Sequence, residues 1–106
     1  SSGIPSCNGQ SATVYVNGSN TIVGGPDNGL AYTGTMRGTN GSDVIVGTNN
    51  ADTFEGGSGA DTLCGGDGND VFVSGSDNQD DTIFGEGGND TINGYGCSGY
   101  GGWGRW

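Results

Sequence analysis

Between residues 38 and 93 the chain repeats one nine-residue phrase, and this period constrains the fold more than any other property of the sequence. Its aspartates fall at Asp43, Asp52, Asp61, Asp70, Asp81 and Asp90, at intervals of nine, nine, nine, eleven and nine. Two places after each stands an apolar residue: Ile45, Phe54, Leu63, Phe72, Ile83 and Ile92. Two residue classes thus keep one register, which chance does not explain. The copies "GGSGADTLC" (56–64) and "GGDGNDVFV" (65–73) are complete. "GTNGSDVIV" (38–46) lacks the second glycine, "GTNNADTFE" (47–55) has lost two, and "GEGGNDTIN" (85–93) carries Glu86 in the second place. Between them "SGSDNQDDTIF" (74–84) is two residues longer and unusually acidic. Met36 lies nine before Ile45, so "TMR" (35–37), like "NTIV" (20–23), reads as a decayed strand of the same pattern.

A helix does not fit this phrase. Glycine in a helix interior costs about 1 kcal/mol relative to alanine, and the apolar residues never recur at i, i+3, i+4. The fitting alternative is a short strand, Asp-x-U-x, with the apolar residue U facing inward, followed by a glycine turn. Two units make one flattened coil of eighteen residues, and successive coils stack as parallel strands about 4.8 Å apart. Ile45, Leu63 and Ile83 then line one inner wall, and Phe54, Phe72 and Ile92 the other. The expected fold is all-β: a parallel β-roll, a solenoid with two strands per coil, with capping segments at both ends. The chain divides into an N-terminal capping segment (1–37), the roll (38–93) and a glycine- and aromatic-rich cap or tail (94–106).

So thin a core needs help. Only 29% of the 106 residues are hydrophobic and 26 are glycine, the residue that loses most backbone freedom on folding. A metal, a disulfide or a partner is expected to make up the difference. The net charge of −10, with two basic residues and no histidine, makes nucleic acid and anionic membranes poor partners. No apolar run is long enough to span a bilayer. Glycine does not recur every third residue, which excludes collagen. With no histidine, no lysine and no serine in a nucleophile setting, an enzyme is not expected. The opening "SSGIPS" does not read as a signal peptide.

Stacking has an electrostatic consequence. Asp43 comes to lie over Asp61 and Asp61 over Asp81, while Asp52 lies over Asp70 and Asp70 over Asp90. Two like charges about 5 Å apart repel by roughly 1 kcal/mol in water and several-fold more at lower dielectric. A hard divalent cation between each pair turns repulsion into attachment. Carboxylates with backbone carbonyls suit Ca²⁺ better than Mg²⁺, although another hard ion such as a lanthanide satisfies the same chemistry. Filling all four pairs, about four ions, would leave a net charge near −2 against the −10 of the chain.

The phrases "GGSGADTLC" and "GGDGNDVFV" resemble the calcium-binding nonapeptide GGxGxDxUx of the RTX, or hemolysin-type, repeat family. The resemblance covers residues 38–93, about half the chain. It implies a parallel β-roll with Ca²⁺ held between turns of successive coils. The ligands it implies are the six aspartates, with carbonyls of Gly38, Asn40, Gly56, Ser58, Gly65, Asp67, Gly85 and Gly87. The chain departs from the pattern at Asn49–Asn50, before Asp52, and at the insertion, where Asp77, Asp80 and Asp81 all compete for the ligand role.

Three cysteines leave one unpaired within the chain. With Leu63 pointing inward, Cys64 points outward in a column with Val46 and Phe84, an apolar stripe that a terminal segment is expected to cover. Residues 11–16, "SATVYV", have strand-like alternation for that role, with Cys7 bonded to Cys64 and Cys97 free or bridged to a second chain; the tail offers Cys97 instead. The leading functional expectation is a secreted, extracellular calcium-binding module that folds on meeting Ca²⁺, its macromolecular partner open. The alternative is a surface-interaction protein for adhesion, mineral or ice, using outer threonines such as Thr53, Thr62, Thr82 and Thr91 on a rigid roll.

Overall fold

The computed structural model describes residues 4–57, 59–73, 81–88, 90–93, 97–100 and 104–105; at 81, 92–93 and the last two stretches it describes the backbone alone. Strand and glycine turn alternate as the period requires. The roll is built from β5 (Thr35–Arg37), β6 (Val44–Val46), β7 (Thr53–Glu55), β8 (Thr62–Cys64), β9 (Val71–Val73), β10 (Asp81–Phe84) and β11 (Asp90–Asn93). They are continued by β12 (Cys97–Tyr100) and β13 (Gly104–Arg105). Two parallel sheets result, one in the order β12-β10-β8-β6 and the other β13-β11-β9-β7-β5.

The register is the one the apolar period demands. Ile45 pairs with Leu63 and Leu63 with Ile83. Met36 pairs with Phe54, Phe54 with Phe72, and Phe72 with Ile92. Ile45, Leu63, Ile83, Met36, Phe54 and Phe72 are fully buried. The Phe54 and Phe72 rings stack with centroids 4.7 Å apart. Each such side chain contributes roughly 1.5–3 kcal/mol on burial, so this double row carries the apolar stabilisation of the roll. Thr62 pairs with Thr82, so the two extra residues of the long repeat do not disturb the ladder and Asp81 stands in register as the counterpart of Asp61.

Met36 confirms residues 35–37 as a true strand of the roll. Residues 20–23 differ. There β4 (Ile22–Val23) pairs antiparallel with β3 (Tyr15–Val16), a hairpin outside the roll, although Ile22 still packs onto its core. Residues 11–16 also differ from expectation. Val14 bridges Ile45 in parallel, with Thr13 N donating to Val44 O at 2.7 Å and Val46 N to Val14 O at 3.1 Å. This segment closes the open end of a sheet instead of crossing its outer face, because the bare edge of β6 offers unpaired backbone groups. The outer stripe is covered by the hairpin of β1 (Ser6–Cys7) and β2 (Gln10–Ser11). Cys7 packs there with Val44 and Cys64 against Val46 and Phe84. It is disulfide-bonded to Cys64, with Cα atoms 5.8 Å apart across a separation of 57 residues. β12 and β13 extend the two sheets by one strand each, with Cys97 opposite Asp81 and Gly104 opposite Asp90.

Candidate metal centre

Each aspartate stands at the junction of turn and strand, so stacking brings the carboxylates into two columns along the edges of the roll. Asp43, Asp52, Asp61, Asp70 and Asp90 are all buried. A buried carboxylate must be hydrogen-bonded, paired or ligated to remain ionised. One oxygen is used to join coils. The backbone N–H of Asp43 donates to Asp61 Oδ1 at 2.8 Å, that of Asp52 to Asp70 Oδ1 at 2.8 Å, and that of Asp70 to Asp90 Oδ1 at 2.9 Å.

The second oxygen faces the turn of its own repeat. A Cβ added to Gly65 would lie 2.5 Å from Asp70 Oδ2 and 2.9 Å from the carbonyl oxygen of Gly85, one coil on. Asp70 Oδ2 and Gly85 O therefore converge on a recess that only glycine leaves open. The same geometry recurs at Gly38, between Asp43 Oδ2 at 2.7 Å and Gly56 O at 2.5 Å, and at Gly47, between Asp52 Oδ2 at 2.7 Å and Gly65 O at 2.9 Å. A Cβ on Gly85 would lie 2.5 Å from Asp90 Oδ2.

The recesses differ in what already fills them. Asp70 Oδ2 and Asp90 Oδ2 are buried and receive no hydrogen bond from the described residues. Burial, reinforced by the charges of Asp52 and Asp90 and opposed by the Asp52 N–H, pushes the Asp70 carboxyl up to about 8. Burial likewise raises Asp90. Asp43 instead accepts Thr39 N on Oδ2 at 2.7 Å and the Thr39 hydroxyl at 3.1 Å from each oxygen. Asp52 accepts Thr48 N on Oδ2 at 2.8 Å, the Thr48 hydroxyl on Oδ1 at 2.8 Å, and the Tyr32 hydroxyl, also on Oδ1. Burial and then the bond to Asp52 hold the Tyr32 phenol well above its ordinary range, so it stays a donor.

The donor set suits a hard cation. Among the described residues no three acidic, thiol or imidazole side chains converge; the polar lining of the recess is carboxylate and carbonyl oxygen, with the edge of the Phe72 ring closing its inner side. Such a cation would be held by Asp70 Oδ2 with Gly85 O, and its charge would satisfy the oxygen that the protein leaves bare. Of the residues singled out from sequence, the structure brings together Asp43 with Asp61, Asp52 with Asp70, and Asp70 with Asp90. Asp81 joins the first column by backbone register. Gly38, Gly56, Gly65 and Gly85 lie at the recesses. Asn40 is exposed on its turn. Asp67 leans on the next coil, its Oδ1 2.6 Å from where a Cβ on Gly87 would sit. Ser58, Asp77 and Asp80 lie outside the described residues.

Sequence reasoning missed Tyr32, Thr39 and Thr48. Threonine in the second place of two copies was the available signal for the last two; nothing in the period points to Tyr32. It also missed the carbonyls of Thr39, Gly41, Thr48 and Asn50. These press on Gly57, Gly59, Gly66 and Gly68 of the next coil, each 2.5–2.7 Å from an added Cβ.

No curated protein and no solved structure matches the chain at a significant level. Residues 37–72 and 76–96 match the RTX calcium-binding nonapeptide repeat, in four copies. The match takes in just over half of the chain and falls on the coils that carry the aspartate columns. On that match, and on the parallel roll it coincides with, the chain belongs to the RTX calcium-binding nonapeptide-repeat family.

Proposed function

We propose that this calcium-binding β-roll is a secreted module whose coils complete their folding on binding Ca²⁺. The observation that carries the reading is the pair of buried, donor-free oxygens, Asp70 Oδ2 and Asp90 Oδ2, the first beside the Gly85 carbonyl. Without a cation, burying these charges opposes folding; with one, the same atoms become its ligands, so metal binding and folding share one free energy. The ligands are the aspartates of the two columns with carbonyls from the glycine turns; at the Asp70 recess they are Asp70 Oδ2 and the Gly85 carbonyl.

Export follows from the same chemistry. Extracellular calcium modules bind at roughly 10⁻⁴–10⁻³ M, far above the free calcium of a cytoplasm, so the chain would stay loose before export and close outside. The Cys7–Cys64 disulfide is at home in the same oxidising surroundings.

Calorimetric titration of the metal-free chain with Ca²⁺, followed by circular dichroism with and without EGTA, tests the reading. Saturable binding with a gain of β signal is expected. Absence of binding, or a spectrum indifferent to both calcium and chelator, overturns it.

A further inference from the structure

The turns of the roll are of two kinds, and the residue in the second place of the phrase separates them. At Gly57, Gly66 and Glu86 the second residue is left-handed, with φ of 77°, 77° and 65°. The fourth residue is left-handed as well, at Gly59 (89°), Gly68 (95°) and Gly88 (86°). Thr39 and Thr48 hold ordinary negative φ, and so do Gly41 and Asn50 two places later. The cause is steric. A β-branched residue is a genuine outlier at positive φ, whereas glycine enters that region freely. Glu86 adopts it despite its Cβ, which marks the left-handed turn as the form this position enforces.

The backbone difference decides what the aspartate meets. In the threonine turns the second residue turns its N–H onto Oδ2 of the aspartate and adds its hydroxyl. In the left-handed turn of Asp70 that oxygen has no donor among the described residues, and the same is true of Asp90. A calcium ion must approach a carboxylate oxygen to 2.3–2.6 Å. At Asp43 and Asp52 this approach is faced by donor hydrogens, which already neutralise much of the charge.

We infer that the second residue of each turn selects whether the turn takes a cation: threonine closes the Asp43 and Asp52 turns with its own donors, and calcium is confined to the coils that begin with Asp61 and Asp70. The inference rests on the calcium reading above and refines it. Filling every stacked pair would call for about four ions; selection removes the two pairs that begin at Asp43 and Asp52 and leaves two, because the Asp90 turn, though left-handed, meets Gly104 and not an aspartate on the next coil. Tyr32 belongs to the same device, since it supplies Asp52 with a third donor from the N-terminal segment.

Native mass spectrometry of the full chain in millimolar Ca²⁺ counts the ions directly. Two are expected for the wild type. Thr39→Gly converts the first turn to GGNGSD, a full match to the motif, and is expected to raise the count to three; Thr48→Gly is an independent second variant with the same expectation. A wild type carrying four ions overturns the selection while leaving calcium binding intact. A wild type carrying none overturns both. Thr39→Gly and Thr48→Gly chains that stay folded by circular dichroism yet still hold two ions overturn the role given to threonine.

Discussion

The two ends of the roll meet the same problem with different materials. At the N-terminal end Val14 pairs with the edge at Ile45, the Cys7–Cys64 disulfide fastens the β1–β2 hairpin to β8, and Asp43 and Asp52 are surrounded by protein donors. Toward the C-terminal end the stack continues into β12 and β13, whose residues in the aspartate positions are Cys97 and Gly104. There the Oδ2 atoms of Asp70 and Asp90 have no donor among the described residues, while each Oδ1 accepts the backbone N–H of the preceding coil. The backbone ladder runs unbroken from one end to the other. A solenoid can therefore keep uniform packing while varying, coil by coil, how the charge on its edge is neutralised. Because each coil touches only its neighbours, the N-terminal end would, under the proposed reading, template the coils beyond it.

The largest effect expected is one that ignores this division. Phe54→Ala removes a ring fully buried between Met36 and Phe72, and such truncations cost roughly 3–5 kcal/mol. Whole domains are stable by about 5–15 kcal/mol. Urea unfolding should show this loss equally in calcium and in chelator. A variant that calcium restores to wild-type stability would mean that packing and metal binding are not separable, and the comparison of the ends would lose its common reference.

A smaller effect should change sign with calcium. In the metal-free fold the Asp70 carboxyl is pushed from 3.8 up to about 8, chiefly by burial. A folded value above the unfolded one means that the native state holds the proton more tightly. This contribution to stability is therefore complete below about 4 and is lost as pH rises through about 8. In chelator the wild type should be less stable at pH 8.5 than at pH 5. Asp70→Asn should flatten that dependence, stabilise the metal-free chain at pH 8.5, and destabilise it relative to wild type once calcium is added. Asp52→Asn should instead destabilise under both conditions, because it replaces one acceptor oxygen of the carboxyl group that takes three donors. Urea midpoints at the two pH values, with calcium and with EGTA, give all four comparisons. Identical behaviour of the two variants would erase the distinction between the ends.

The repeat made the ladder legible because both residue classes carried it independently. Ile45, Leu63 and Ile83 had to face one way once Asp43, Asp61 and Asp81 were aligned, and even Met36 could be placed by counting back nine. The long repeat was harder only in its turn, since a ladder tolerates an insertion outside its strands. What the period could not convey was anything that does not repeat. Residues 11–16 look like a covering strand, but alternation does not distinguish covering a face from closing an edge. Thr39 and Thr48 looked like decay of a glycine motif; their meaning depends on φ and on the direction of an N–H, which appear only when the turn is built. The bridging bonds from Asp43 N to Asp61 Oδ1 and its equivalents were likewise invisible, because stacking by itself suggests only that the carboxylates repel.

Tyr32 is the least legible residue of the site and provides the smallest and most specific test. It lies twenty residues from Asp52, outside the repeat, and reaches the carboxylate only because the β3–β4 hairpin folds back onto the end of the roll. Tyr32→Phe keeps the ring and removes the hydroxyl. A hydrogen bond to a charged group contributes about 1.5–3 kcal/mol, and the Thr48 hydroxyl remains on the same oxygen at 2.8 Å, which places the loss toward the lower end. If the N-terminal end is closed by the protein itself, this loss should be the same with calcium and with chelator, and the number of bound ions should not change. If calcium instead compensates for the missing hydroxyl, the Asp52 turn is a cation site in waiting, and Tyr32 is what keeps it shut.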